Sequence, residues 1–203
     1  MTRKDKVKDS YDKIARQYHR KTDENSVSKS QENIIEEYKS TLQKNNVILD
    51  VGCGGQPIEA SGIDTIGLDF SREQINTNNI PNIDMIQGDM INLPFKSNYF
   101  DGLTAFYSLI HVPLKFHQKT INEFSRVIKQ GSSILITEGV REWVGSNEGW
   151  LDTDTEMSWE VAGKDKTKEH LKNAGFEIMK IKPVKDTLGK NENTKIFFFA
   201  KLK

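Results

Sequence analysis

The sequence predicts an α/β fold of three layers, a mostly parallel seven-stranded sheet with helices on both faces and an antiparallel strand at its C-terminal end. Two observations lead there. Between residues 47 and 138, short apolar runs rich in β-branched residues alternate with segments of helical periodicity, which implies right-handed crossovers between parallel strands. The end of the chain breaks that pattern. Phe176 to Val184 and Thr194 to Leu202 both read as strands, and Lys185 to Asn193 between them is too short and polar for a crossover helix, so they pair antiparallel.

The elements follow in order. Val7, Tyr11, Ile14, Ala15 and Tyr18 fit one face of a helix in residues 1 to 27, and Ile34, Ile35, Tyr38 and Leu42 mark a second over 28 to 44. Val47 to Val51, ending in Gly52, is a buried strand. Ile63 to Phe70 is the second strand, followed by Ser71-Arg72-Glu73-Gln74, a capping box in which Ser71 and Gln74 would cap each other. Asn82 to Gln87 and Tyr99 to Ser108 are the third and fourth strands. A helix over about 114 to 130 turns Ile121, Phe124, Val127 and Ile128 inward and stops at Gly131. Ser133 to Glu138 is the fifth strand, and a helix near 165 to 174 ends at Gly175.

One domain of 203 residues is expected, divided into an N-terminal helical lid (1–45), a ligand-binding core (46–138), an insertion (139–163) and a C-terminal helix with its strand pair (164–203). Basic and acidic residues both number 29 and alternate along the chain, as in Arg3-Lys4-Asp5-Lys6. A solvated mixed surface accounts for this, and nucleic acid is disfavoured as a partner. With one cysteine, Cys53, neither an internal disulfide nor a cysteine metal cluster can form, and no metal is expected. No apolar run approaches the ~20 residues of a membrane helix. The charged start is unlike a signal peptide, so a cytoplasmic protein without a membrane partner is expected.

Ligands of open α/β sheets bind beyond the carboxyl ends of the strands, and here those ends carry Gly52-Cys53-Gly54-Gly55, Asp69, Gly88-Asp89-Met90 and Tyr107-Ser108-Leu109-Ile110-His111. Glycines let backbone approach a ligand, and a carboxylate ending the second strand can accept from both hydroxyls of a ribose. A nicotinamide cofactor would be announced similarly, but its fingerprint needs glycine where this chain has Pro57. A phosphate P-loop is excluded, because no Gly-Lys-Ser/Thr follows.

Val47-Ile48-Leu49-Asp50-Val51-Gly52-Cys53-Gly54 resembles motif I of the class I S-adenosylmethionine-dependent methyltransferases, and Gly67-Leu68-Asp69-Phe70-Ser71 their ribose-binding motif. Gln87-Gly88-Asp89-Met90, with Leu93-Pro94-Phe95 and Tyr99-Phe100-Asp101, is similar to their adenine-binding region and fourth strand; Glu123 to Gly131 is similar to the helix and turn before strand five. Each motif alone is weak, but four in order are specific. The resemblance implies the Rossmann-like methyltransferase fold and S-adenosylmethionine as cofactor. It implies that Gly52, Cys53 and Gly54 pass under the methionine part, with Asp50 orienting that loop. Asp69 then holds the ribose, Phe70 packs on sugar or base, Asp89 and the Met90 amide face the adenine, and Tyr107 lies near the reacting methyl. Cys53 reads as a small packing residue, and Asp101 as structural.

Gly55 to Gly62 departs from the family pattern: Pro57 suits a first helical position and Gly62 a stop, so a helix of little more than one turn is expected. Tyr11 to Tyr18 resembles the lid of small-molecule members, including quinone-biosynthesis methyltransferases, with Tyr18 toward the cofactor and Tyr11 toward the acceptor. His111, just past strand four, is the general-base candidate, although a histidine packed beside Pro113 fits equally well. His117 and His170 are expected on helix surfaces. The insertion holds Trp143, Trp150 and Trp159; Met157 and Trp159 are the residues expected to line the acceptor pocket, with Tyr11 and His111. Methyl transfer to a small molecule is the function implied. A degenerate cofactor-binding sensor or partner subunit is the alternative.

Overall fold

The computed structural model describes residues 2–23, 29–77, 80–186 and 193–203. Its elements are α1 (Arg3–Asp23), α2 (Lys29–Lys39), β1 (Val47–Val51), β2 (Asp64–Asp69), α3 (Arg72–Ile75), β3 (Asp84–Gln87), β4 (Phe100–Ala105), α4 (His117–Val127), β5 (Ile128–Gly139), β6 (Trp143–Asn147), β7 (Met157–Val161), α5 (Gly163–Asn173), β8 (Phe176–Asp186) and β9 (Asn193–Leu202).

Seven strands form one sheet in the order β3-β2-β1-β4-β5-β9-β8, in which β9 runs antiparallel to both neighbours. The order reverses beside β1, so the crevice at the carboxyl ends of β1 and β4 is where this topology places a ligand. The sheet is fixed by apolar strands buried on both faces: Ile48, Leu49, Val51, Leu103, Ile134, Ile136 and Phe198 are nearly or fully inaccessible. α4 turns Ile121, Phe124 and Val127 onto one face, while Ile34 and Tyr38 of α2 pack with Leu135, Phe197 and Phe199 on the other.

Several sequence expectations need correcting. No helix forms after Gly55. Ile58 N–H donates to Asp50 Oδ2 at 2.8 Å and its carbonyl accepts from Thr65 Oγ1 at 2.9 Å, so both backbone groups are bonded outside any helix. The Ser71 hydroxyl does accept from Gln74 N–H (3.1 Å), but Gln74 Oε1 meets His19 Nε2 at 2.8 Å, leaving half a capping box. The insertion is an antiparallel hairpin, β6 with β7, that sequence reading does not predict. His117 is fully buried, with Nε2 donating to the Val112 carbonyl at 2.8 Å, and is no surface residue. Among the described residues no helix is long and apolar enough to cross a membrane.

Candidate functional site

A cavity of about 350 Å³ opens at the carboxyl ends of β1, β2, β3 and β4, roofed by α1. Its base is the turn after β1. Gly52 and Gly54 have φ of +67° and +62°, and a Cβ on Gly52 would stand 2.3 Å from Ser108 Cβ, so only glycine fits there. Asp50, buried at the end of β1, accepts from Thr104 Oγ1 at 2.7 Å and from Ile58 N–H, tying the glycine turn to β4. Burial raises its carboxyl to about 6, against the opposing pull of those two hydrogen bonds.

Asp69 ends β2 with one backbone donor per oxygen: Ser71 N–H reaches Oδ1 and Gly54 N–H reaches Oδ2, each at 2.8 Å. These bonds fix the carboxylate while leaving lone pairs for a ligand, and burial raises its pKa. Phe70 and Met90 give the cavity apolar walls, and Asp89 follows β3. Tyr107 leaves β4 with φ +54°, its amide donating to Thr137 Oγ1 at 2.5 Å and its hydroxyl to Gln31 Oε1 at 3.2 Å. Non-glycine residues in the left-handed region are uncommon and concentrate at functional sites.

At the other end, His111 Nδ1 is 3.0 Å from the Ser158 carbonyl, which makes it the protonated nitrogen. Nε2 is left to accept from the Tyr11 hydroxyl at 2.9 Å. Burial drives the imidazole down to about 4 and the Tyr11 phenol well above its usual value, so both are neutral near pH 7.

The cavity therefore brings together Asp50, Gly52, Cys53, Gly54, Asp69, Phe70, Asp89, Met90, Tyr107, Tyr18, Tyr11 and His111, all anticipated from sequence. It does not include Met157 or Trp159. Met157 is fully buried, and Trp159 backs His111 with ring centroids 6.0 Å apart, one layer behind the wall. Burial raises the Cys53 thiol well above its usual value, consistent with a packing residue. Asp101 is structural, accepting from Val47 N–H and Lys129 Nζ at 3.0 and 2.6 Å. Sequence reasoning missed Ser108, whose hydroxyl donates to the Val51 carbonyl at 2.9 Å beneath the glycine turn, and Lys4, which enters the cavity from α1.

Fold and site together define a Rossmann-like protein whose cavity lies at its topological switch point, lined by groups that suit a nucleoside-bearing ligand. Residues 49–136 match the methyltransferase domain family. The demethylmenaquinone methyltransferase of Staphylococcus carnosus is 33% identical over 110 residues, covering 48% of this chain and 44% of its own. The sterol 24-C-methyltransferase ERG6 of Saccharomyces cerevisiae is 27% identical over 168 residues, 70% of this chain and 42% of its own. This chain thus spans less than half the length of either relative. In fold it matches magnesium protoporphyrin IX methyltransferase from Synechocystis, solved with S-adenosylhomocysteine bound, with TM-score 0.70, 13% identity and all of both chains covered. Residues 49–136 thus carry the methyltransferase domain, and the chain is similar in sequence and fold to S-adenosylmethionine-dependent methyltransferases, whose cofactor is S-adenosylmethionine.

The residues present fit that cofactor. A fixed, half-buried carboxylate suits vicinal hydroxyls, a second carboxylate beside an aromatic ring suits an amino-bearing base, and the side-chain-free turn at Gly52 admits an amino-acid moiety.

Proposed function

We propose that this protein transfers a methyl group from S-adenosylmethionine to an uncharged small-molecule acceptor seated between Tyr11, Tyr18, Tyr107 and His111. The observation that carries this reading is the continuous cavity running from Asp69 to the Tyr11–His111 pair, which has room for a donor at one end and an acceptor at the other. The bound cofactor supplies an electrophilic methyl on a cationic sulfur with a good leaving group.

The protein's own work is alignment and exclusion of water. Asp69 and the glycine turn hold the donor end, and Tyr107, fixed through Thr137 and Gln31, walls the transfer region. His111, its tautomer set by Ser158, presents Nε2 as a proton acceptor, with the Tyr11 hydroxyl as the group through which a departing proton reaches it. A low-pKa imidazole suits an acidic acceptor proton, such as that of an enol or phenol, better than an alcohol. The quinone and sterol substrates in the relatives' names are in keeping with a planar or apolar acceptor. The domain division foreseen from sequence fits this use, with α1 as lid and the β6–β7 hairpin bracing the acceptor side. A cytoplasmic location accords with the single free thiol.

The test is a radiolabelled methyl-transfer assay over a panel of phenols, hydroquinones, amines and sterols. Transfer to a phenolic or enolic member supports the reading. S-adenosylhomocysteine binding with no transfer to any panel member would favour a cofactor-binding sensor instead.

A further inference from the structure

α1 lies across the cavity and is anchored on both banks. On the hairpin side Arg3 reaches Glu160 at 3.4 Å and the Gly145 carbonyl at 3.3 Å, and Ser10 Oγ donates to the Glu156 carbonyl at 2.7 Å. On the β2 side Asp12 accepts from Ser71 Oγ at 2.5 Å and Glu73 N–H at 3.2 Å. Between these anchors Lys4 turns into the cavity. Its Nζ is 2.5 Å from Asp89 Oδ2 and 5.1 Å from the centre of the Phe70 ring. Asp89 Oδ1 is engaged by Ile91 N–H at 3.0 Å, so the oxygen Lys4 holds is the one not bonded to its own turn.

Those two groups are what the cofactor reading assigns to adenine: a carboxylate for the exocyclic amine and a ring for the face of the base. An ammonium satisfies both at once, by ion pairing and by a cation–π contact. The same oxygen and ring face cannot serve Lys4 and an adenine together.

We propose, on the basis of that cofactor reading, that Lys4 is an internal competitor for the adenine subsite. Cofactor binding requires its ammonium to leave Asp89 and Phe70, and this exchange sets both the affinity and its dependence on ionic strength. The pair is suited to exchange. Its side chains are 30% and 26% exposed, so it is worth little and is screened by salt, and the flexible lysine stem can swing away while the other anchors keep α1 in place.

The experiment is calorimetric titration of the full chain with S-adenosylhomocysteine and with adenosine, for wild type, Lys4→Met and Lys4→Arg, at low and high ionic strength. Adenosine carries the base without the charged amino-acid end, so its salt response isolates the adenine subsite. Lys4→Met is expected to bind both ligands roughly two- to fivefold more tightly than wild type at low salt, with the gap closing at high salt. Lys4→Arg is expected to stay near wild type. Unchanged or weaker binding by Lys4→Met, with wild type still binding, overturns the role of Lys4 alone. Absence of binding by every variant would overturn the cofactor reading and the Lys4 role together.

Discussion

The Tyr11 hydroxyl lies 2.9 Å from His111 Nε2, joining helix α1 to the turn that follows β4. In the proposed mechanism, proton handling and the seating of α1 over the cavity meet at this one hydrogen bond. His111→Ala is expected to lower kcat by about a hundredfold or more, with S-adenosylhomocysteine affinity changed only a few fold. Tyr11→Phe should show a smaller loss in the same direction. Steady-state kinetics beside calorimetry check both.

The pH profile follows from the same pair. Burial lowers the His111 pKa from 6.5 to about 4, and in the proposed mechanism the neutral imidazole is the active form. Activity limited by this group should thus rise between about pH 3 and 5 and be level above that, within the range where the chain stays folded. A rise centred near 6.5 instead would mark an exposed histidine or a different base.

Gly52→Ala should disable the site and cost stability. The residue sits at φ +67°, and its new Cβ would be 2.3 Å from Ser108 Cβ and 2.9 Å from Ser108 Oγ. A loss of about 1–3 kcal/mol is expected from the backbone strain alone, with cofactor binding lost as the turn shifts. Denaturant unfolding and titration measure the two effects separately.

Glu138, fully buried at the end of β5, has His117 Nδ1 3.7 Å away, too far for a hydrogen bond. Burial raises its carboxyl from 4.5 to about 7, so the folded state retains a proton that the unfolded state releases. Stability contributed by that protonation is present below pH 4.5 and is lost as pH rises through about 7. Glu138→Gln should be more stable than wild type at pH 8, by about 1–3 kcal/mol, with the advantage gone near pH 4. His111 and His117 act oppositely. Both are lowered from 6.5 to about 4, so their contribution is present above 6.5 and lost as pH falls toward 4. Thermal melts of both proteins across pH 4–8 read the crossing.

Most of the fold was legible because its central strands are short, apolar and punctuated by glycine or acid: Val47 to Gly52 and Ile63 to Asp69 each announce a strand and the ligand group at its end. The cavity residues at those strand ends were legible for the same reason, since topology alone sends the ends of those strands to one crevice. The hairpin was not, because Trp143-Val144-Gly145-Ser146-Asn147 lacks a strand's alternation and is held by its register with β7. The absent helix after Gly55 turned on Asp50 capturing the Ile58 amide, a contact between residues eight apart that periodicity does not reveal. Lys4 carried no signal among the alternating charges of α1, and His117 is buried by tertiary packing at the start of α4.

The most direct test of the central claim is calorimetric titration of wild type and Asp69→Ala with S-adenosylhomocysteine. Asp69 is the half-buried carboxylate fixed by Gly54 and Ser71 amides. Micromolar binding by wild type, lost or weakened at least about a hundredfold in Asp69→Ala, is the predicted result. No binding by wild type, or equal binding by both proteins, would contradict the assignment of this cavity to the cofactor.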